Sequence, residues 1–316
     1  MKDMPESSAP PKFTDPDHTA DGSKRARVCM SGLKTLWFNT GTLCNIECAT
    51  CYIASSPTND ALLYLTAAEV TRYLDEIEAE NFPVTEIGFT GGEPFMNPEI
   101  LEILEAALSR GYDVLVLTNA MRPMLRPRTM AGLIGLEERF GAKLVLRISV
   151  DHHRSAEHDA ERGLGSFAQT LEGMRWLAGA GLKMAVAGRS KWGESDAQAR
   201  AGFARLFARE GFDIDAHDPA ATVIFPEMDE TADVPEITTE CWGILGKSPE
   251  EVMCSSSRMV VHRKGEESPT VAACTLLPYQ PEFDLGPTLK GAMREVALNH
   301  PHCAKFCVLG GASCSA

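Results

Sequence analysis

The stretch CNIECATC, residues 44–51, decides how this chain is interpreted. It places three cysteines within eight residues. Thiolates this close together cannot all pair with one another as disulfides, so the spacing suits one loop that holds its sulfurs around a single metal centre. An iron-sulfur cluster is the natural candidate for that centre.

A structural zinc site, or a set of buried thiols, is the alternative for this loop. Zinc would need a fourth ligand nearby, and the closest histidines in the sequence, His18 and His152, have no finger-like spacing from the cysteines. The loop itself contains no fourth cysteine. The spacing therefore favours iron and sulfide over zinc.

The C-x-x-x-C-x-x-C spacing of Cys44, Cys48 and Cys51 resembles the signature of the radical S-adenosylmethionine (SAM) superfamily. The resemblance implies a 4Fe-4S cluster with one open iron, which chelates the amino and carboxylate groups of SAM. One electron then cleaves SAM to methionine and a 5'-deoxyadenosyl radical. Many members carry an aromatic residue just before the third cysteine. This chain has Thr50 there and Tyr52 just after, so Tyr52 joins the candidate SAM contacts.

The composition excludes several classes of function. The chain has 316 residues, 44% of them hydrophobic, which allows a large core. Its formal net charge of -14 would repel phosphate backbones, so no nucleic-acid partner is expected. No segment approaches the roughly 18 to 20 apolar residues that cross a bilayer. Residues 1–32 are predicted to be a flexible leader without a signal sequence, so a cytoplasmic protein is expected. In the cytoplasm, ten cysteines indicate metal or redox chemistry rather than disulfides.

Strand-like and helix-like segments alternate between residues 33 and 232. This pattern predicts parallel strands joined by crossover helices. The expected fold class is α/β, a partial (β/α)6 barrel similar to a TIM barrel. One helix has a predicted capping box at Thr66 and Glu69. The predicted strands are 35–40, 85–90, 113–120, 143–151, 182–190 and 222–225, and the predicted helices are 65–79, 97–111, 129–140, 166–181 and 194–211.

Polar residues follow these strands at their carboxyl ends. In parallel barrels those ends form the active face, so residues that are distant in sequence are expected to converge there. They are Gly91, Gly92 and Glu93 after the second strand, Asn119 after the third, Ser149 and Asp151 at the fourth, and Arg189 at the fifth.

Two of these segments extend the resemblance. GGEP, residues 91–94, is similar to the radical SAM motif that holds the methionyl amino group, although an ordinary turn is the alternative. The segment SVDHHRSAEHDAERGLGSF, residues 149–167, looks like one found in members with an extra cluster domain. By resemblance, Ser149 is a candidate for the ribose hydroxyls and Arg162 for the SAM carboxylate or for ordering the loop. Asn119, Asp151 and Arg189 complete the candidate SAM contacts, whereas His152 and His153 are expected to be surface loop residues.

From about residue 233 the strand-helix rhythm stops and cysteines become frequent. Residues 254–274 predict a hairpin that turns at Lys264 and Gly265 and brings two cysteines to one end. The region, residues 233–316, resembles the auxiliary-cluster extensions called SPASM and twitch domains. The resemblance implies one auxiliary 4Fe-4S cluster, with a zinc-bound hairpin as the alternative. Cys254, Cys274 and Cys307 are its first expected ligands, Cys303 and Cys314 compete for the fourth place, and Cys241 is a further candidate. Cys29 is expected to be a packed side chain.

The resemblance implies a radical SAM enzyme that abstracts hydrogen from its substrate and receives electrons from a donor such as flavodoxin or ferredoxin. Oxidation of a small molecule is favoured, because residues 1–32 are too few for a leader-binding domain. A peptide maturase that forms carbon-carbon or carbon-sulfur bonds is the alternative. A non-catalytic iron-sulfur electron carrier or scaffold is a hypothesis from another class.

Overall fold

The computed structural model describes residues 11–229 and 231–312. Six parallel strands alternate with helices, which confirms the predicted partial barrel. The strands are β1 (Arg27–Val28), β2 (Thr35–Asn39), β3 (Glu86–Thr90), β4 (Asp113–Thr118), β5 (Leu144–Ser149), β6 (Lys183–Arg189), β7 (Thr222–Phe225), β8 (Ser257–Val261), β9 (Thr270–Ala272) and β10 (Val296–Ala297). The helices are α1 (Ala67–Ala79), α2 (Ile100–Ser109), α3 (Pro127–Phe140), α4 (Ser155–Arg162), α5 (Ser166–Gly179), α6 (Asp196–Glu210) and α7 (Cys241–Leu245).

The main sheet has eight strands in the order β7-β6-β5-β4-β3-β2-β8-β9. Neighbouring strands from β2 to β7 are parallel, with Phe38 of β2 beside Phe89 of β3. Every residue of β2 is buried, as expected for a strand covered on both faces. The carboxyl ends of the parallel strands therefore meet at one edge, where the loops carry the candidate site residues.

The first helix forms as its sequence predicts. Thr66 caps α1 and makes the reciprocal capping box with Glu69. The buried face of α1 consists of Val70, Tyr73, Leu74 and Ile77. The tyrosine hydroxyl donates to the carbonyl of Pro269 at 2.8 Å, so this helix packs against the C-terminal region as well as the sheet.

Within the barrel, two helices depart clearly from the sequence prediction. The helix predicted from Asn97 begins at Ile100, because the Asn97 side chain donates to the carbonyl of Leu65 and accepts from the amide of Glu99. The residues between β5 and α5 form a separate helix, α4, which was not predicted. Its charged residues gave no apolar periodicity.

The predicted hairpin joins the barrel sheet directly. Strands β8 and β9 pair antiparallel, and β8 also pairs in parallel with β2, placing Trp37 beside Met259. The hairpin thus extends the sheet next to the strand that leads into the cysteine loop. Further along, residues Cys303–Leu309 form a short π-helix.

The part of the predicted leader that the structure describes, residues 11–32, contacts the C-terminal region. Strand β1 pairs antiparallel with β10. Arg25 is 1% exposed and donates to Glu236 at 2.5 Å. These contacts fix the segment against the C-terminal region, and residues 1–10 lie outside the described residues.

Within residues 11–229 and 231–312, no helix combines the length and the apolar character required to cross a membrane.

Candidate active site

The first three cysteines lie together in the loop that follows β2. Cys44 is 4% exposed, and Cys48 and Cys51 are half-buried. The Cys44 amide donates to the carbonyl of Ser56 at 3.0 Å, and the Ser55 amide donates to the Cys51 sulfur at 3.3 Å. The three sulfurs therefore border one cavity at the carboxyl edge of the sheet.

Burial raises the pKa of Cys44 to about 12 and also raises the pKa of Cys48. A thiolate in this position needs a nearby positive charge. The Arg162 charge acts in that direction on Cys48. The cationic core of an iron-sulfur cluster fits this donor set, because Cys44, Cys48 and Cys51 would hold it and it would supply the missing positive charge.

The two glycines after β3 let that loop pass against the cysteine loop. The Gly92 amide donates to the carbonyl of Gly41 at 2.8 Å. A Cβ atom at Gly91 would lie 2.5 Å from the oxygen of Gly41, and one at Gly92 would lie 2.3 Å from the oxygen of Leu43. A larger side chain at either position would displace the cysteine loop. Both glycines line the cavity.

Glu93 lies behind the cavity rather than in its lining. It is 1% exposed, and its carboxylate accepts from the Thr118 hydroxyl at 2.8 Å and from the Asn119 amide at 2.9 Å. Burial raises the pKa of Glu93. These contacts tie the ends of β3 and β4 together. The Asn119 side chain in turn donates to Asn45 of the cysteine loop at 2.9 Å.

Arg162 and Asp151 form a buried pair beside the cysteines. The guanidinium donates to both carboxylate oxygens, at 2.7 Å and 3.2 Å. Burial opposes its charge, yet the charge of Asp151 raises the pKa of Arg162, so the guanidinium stays cationic. Both residues and Ser149 line the cavity. The pair favours the loop-ordering alternative for Arg162.

Arg189 belongs to a charged network that holds the cysteine loop. It donates to the Thr50 hydroxyl at 2.6 Å, to Glu161 at 3.0 Å and to Glu227 at 3.1 Å. Glu161 also accepts from the Thr50 amide at 2.8 Å and from Lys191 at 2.7 Å. Burial opposes its charge, yet hydrogen bonds from Lys191 and Thr50 lower the pKa of Glu161 to about 2. Thr50, directly before the third cysteine, is thus the residue through which this network holds the cysteine loop.

Sequence reasoning missed Glu161 and Lys191. Their only sequence signal is position, since Glu161 precedes Arg162 and Lys191 follows Arg189 by two residues. Arg189 keeps a further buried donor, because its Nε has no hydrogen-bond partner among the residues described. That nitrogen belongs to a residue that lines the cavity.

The cavity gathers all but one of the residues predicted to hold the first cluster and SAM. One wall of the cavity is apolar, and sequence reasoning missed it because its members come from β7, the segment just after β7 and the C-terminal region. They are Phe225, Met228, Leu276 and Phe306. The rings of Phe225 and Phe306 stack 5.5 Å apart. The predicted residues in the lining are Cys44, Cys48, Cys51, Tyr52, Gly91, Gly92, Asn119, Ser149, Asp151, Arg162 and Arg189.

Four C-terminal cysteines surround a second, apolar cavity. They are Cys254, Cys274, Cys303 and Cys307. Burial raises the pKa of Cys254 to about 12 and raises that of Cys303 as well. Four thiols around one space fit a fully ligated cluster.

The other two candidate ligands do not line this second cavity. Cys241 accepts from the Thr238 amide at 3.4 Å, and Cys314 lies outside the described residues.

Two expectations about single residues are wrong. His152 is 2% exposed and His153 is also largely buried, because Glu194 and Trp192 from the segment before α6 pack onto their rings. Cys29, expected to be packed, is exposed, because it lies just beyond the short strand β1.

Comparison with known proteins identifies the domain that carries this site. Residues 38–188 match the model of the radical SAM superfamily. The chain carries a radical SAM domain. This confirms the family that the cysteine spacing predicted, and with it the cofactors of that family, an iron-sulfur cluster and SAM.

Among curated relatives, this chain is 34% identical over 145 residues to the antilisterial bacteriocin subtilosin biosynthesis protein AlbA of Bacillus subtilis, a match that covers 46% of this chain and 30% of AlbA. It is 30% identical to the AdoMet-dependent heme synthase of Methanosarcina barkeri, over 42% of this chain and 36% of the synthase. It is 29% identical to the mycofactocin maturase MftC of Mycobacterium ulcerans, over 44% of this chain and 35% of MftC. The chain spans about a third of the length of these relatives.

Solved structures share the fold. Streptococcus suis SuiB bound to S-adenosylmethionine superposes with a TM-score of 0.59 at 12% identity, over 81% of this chain and 63% of SuiB. Native anSMEcpe with bound AdoMet superposes with a TM-score of 0.57 at 14% identity, over 82% of this chain and 79% of anSMEcpe. At these identities the likeness concerns the fold alone.

Proposed function

We propose that the chain is a radical SAM enzyme whose reactive centre forms at Cys44, Cys48 and Cys51. The observation that supports this most is the convergence of three thiols and a polar lining on one cavity inside a radical SAM domain. With a 4Fe-4S cluster bound there, one electron would cleave SAM and release a 5'-deoxyadenosyl radical that takes hydrogen from the substrate.

The chain's own residues would orient SAM and keep the site dry. Gly91, Gly92 and Ser149 line the cavity, where Ser149 would bind the ribose hydroxyls, and the Nε of Arg189 would donate to the SAM carboxylate. Tyr52 borders the same space. Glu93 and the Arg162–Asp151 pair would position these groups. The apolar wall of Phe225, Met228, Leu276 and Phe306 would exclude water from the radical.

The second cavity would hold one auxiliary 4Fe-4S cluster through Cys254, Cys274, Cys303 and Cys307. A closed set of four thiolates leaves no iron open to substrate, so its role would be to accept an electron from the substrate radical. A donor such as flavodoxin or ferredoxin would supply the electron that cleaves SAM. Cysteine ligands must stay reduced, which fits a cytoplasmic protein.

The substrate class has two candidates. AlbA is named for bacteriocin biosynthesis, MftC for maturation, and one SuiB structure holds the precursor peptide SuiA, which supports a peptide substrate. The heme synthase relatives support a small-molecule substrate. We favour a peptide, because more of these relatives have peptide-related names and because the cavity wall is apolar enough for a hydrophobic side chain.

The central test is SAM cleavage by anaerobically reconstituted protein. With dithionite and SAM, the native chain is expected to form 5'-deoxyadenosine, and Cys48→Ala is expected to form none above background. Cys29→Ala is the matched control, since that thiol is exposed and outside both cavities. Equal product from the native chain and Cys48→Ala would overturn the proposal in favour of an electron carrier.

The substrate class is tested with cell extract divided by ultrafiltration into peptide and small-molecule fractions. The fraction that contains the substrate is expected to raise 5'-deoxyadenosine formation above the basal rate. Stimulation by the small-molecule fraction alone would overturn the preference for a peptide.

A further inference from the structure

Arg258 is a buried cation without a carboxylate partner in the part of the chain that the structure describes. It lies in β8 and is 0% exposed. Its guanidinium donates only to backbone carbonyls, those of Cys254 at 2.6 Å, Ser257 at 2.8 Å, Ala292 at 2.9 Å and Arg294 at 2.9 Å. These acceptors satisfy its hydrogen bonds but leave its charge uncompensated.

A second buried arginine, Arg25, shows how a buried positive charge is usually balanced. Arg25 is 1% exposed and is neutralised by Glu236 at 2.5 Å. A buried charge with no opposite charge is strongly unfavourable, so proteins pair it or place it beside a bound ion. Arg258 has no such partner within residues 11–229 and 231–312, so a negative charge bound at the neighbouring cysteines would stabilise it.

The position of Arg258 identifies that counter-charge. One guanidinium nitrogen contacts the carbonyl of Cys254, and the thiols that interact with it electrostatically are Cys254 and Cys274. Both line the second cavity. An iron-sulfur cluster held by four thiolates has a net negative charge, and this charge increases when the cluster is reduced.

We propose that Arg258 is the fixed counter-ion of the auxiliary cluster and raises its reduction potential. This inference rests on the proposed function of the second cavity. Reduction adds one electron, supplied by dithionite during a titration, to the oxidised cluster without making or breaking a bond. A cation that contacts the backbone of a ligand stabilises the more negative, reduced state of the cluster more than the oxidised state. The hydrogen bond from Arg258 to the Cys254 carbonyl also stabilises the backbone turn that carries this ligand.

The test measures the potential of the auxiliary cluster by itself. The full-length chain carries alanine at Cys44, Cys48 and Cys51, is reconstituted anaerobically, and is titrated with dithionite while the spin signal of the reduced cluster is recorded. Arg258→Gln is expected to lower the equilibrium constant for reduction at least tenfold, which is about 59 mV for one electron. Arg258→Lys, which keeps the charge, is expected to stay within threefold of the parent. Arg294→Gln is the matched control, because it removes an exposed charge nearby and is expected to change the constant less than twofold.

The outcomes separate charge from structure. Loss of the cluster in Arg258→Gln but not in Arg258→Lys also supports the proposal, since only the charge distinguishes them in that result. Unchanged potentials in both variants, or loss of the cluster in both, would overturn it. If the parent with three alanines binds no iron or sulfide, the proposed auxiliary cluster itself is wrong, and SAM cleavage by the native chain remains a separate question.

Discussion

The two cysteine sites of this chain differ in what surrounds their sulfurs. The first loop borders a large cavity whose lining is polar and charged on one side, where Asp151, Arg162 and Arg189 share the cavity with the thiols. The second set surrounds a small apolar cavity, and the buried Arg258 interacts electrostatically with two of its thiols, Cys254 and Cys274. The first environment suits a centre that binds a polar ligand, and the second suits a centre that only stores charge. Substitutions at and around each site test this difference.

The largest effect is expected from crowding the first site. Gly92→Ala would place a Cβ atom 2.3 Å from the oxygen of Leu43 and push the cysteine loop out of position. We expect SAM cleavage to fall about 100-fold or more, because misplacement of a reacting group by about 1 Å has this effect. Iron content and 5'-deoxyadenosine formation are the measurements. Gly243→Ala is the control, since nothing lies within 4 Å of its Cβ position, and equal activity of the two variants would contradict the prediction.

Removing one thiol from the second site should separate the sites chemically. We expect Cys303→Ser to lose about half of the bound iron while SAM cleavage at the first site persists. Cys241→Ser should retain its iron, because Cys241 does not line the cavity. Iron and sulfide analysis measures the loss. The reverse pattern, with iron lost only from Cys241→Ser, would show that Cys241 is the ligand.

A smaller effect is expected in the charged network behind the first site. Glu161→Gln leaves Arg189 and Lys191 without their shared carboxylate and loosens Thr50. Hydrogen bonds to charged groups contribute about 1.5 to 3 kcal/mol, so we expect the KM for SAM to rise about tenfold. Steady-state kinetics at saturating dithionite provide the measurement. Glu172→Gln on the exposed face of α5 is the control and should leave the KM unchanged. A KM for SAM as low as that of the control would show that Glu161 does not help to position the cysteine loop.

The smallest effect concerns His158 of α4. It is 0% exposed, neither ring nitrogen has a hydrogen-bond partner among the described residues, and burial lowers its pKa from 6.5 to about 4. The unfolded chain therefore binds a proton between these pH values that the folded chain does not. Stability from this group is complete above pH 6.5 and declines as the pH falls toward 4.

Urea unfolding at pH 8 and pH 6 measures this dependence. We expect the native chain to lose about 1 kcal/mol more than His158→Gln over that interval. Because other titrating groups are common to both chains, they cancel in the comparison. An identical loss in the two chains would show that His158 titrates normally.

The sequence was sufficient for features whose cause is local. Strands β2 to β7 are apolar runs followed by polar residues, and Thr66 and Glu69 form the capping box of α1. The cysteine triplet was found because its ligand spacing lies within one loop. Local patterns of this kind need no knowledge of distant neighbours.

The features that were missed depend on contacts between distant segments. His152 and His153 look like solvated loop residues until Glu194 and Trp192, some forty positions later, cover them. The pairing of β8 with β2 joins segments more than two hundred residues apart. The roles of Thr50 and Glu161 likewise appear only when Arg189 of β6 reaches the cysteine loop.

The pairing of β8 with β2 means that the barrel cannot be cut cleanly from the C-terminal region. Ending the chain at residue 232 would leave β2, a strand of five buried residues, with a row of bare amide and carbonyl groups along one side. Exposed apolar edges of this kind recruit strands from other molecules and lead to aggregation. Shortened versions of this protein should therefore precipitate where the longer chain does not, even though every cysteine of the first loop is still present.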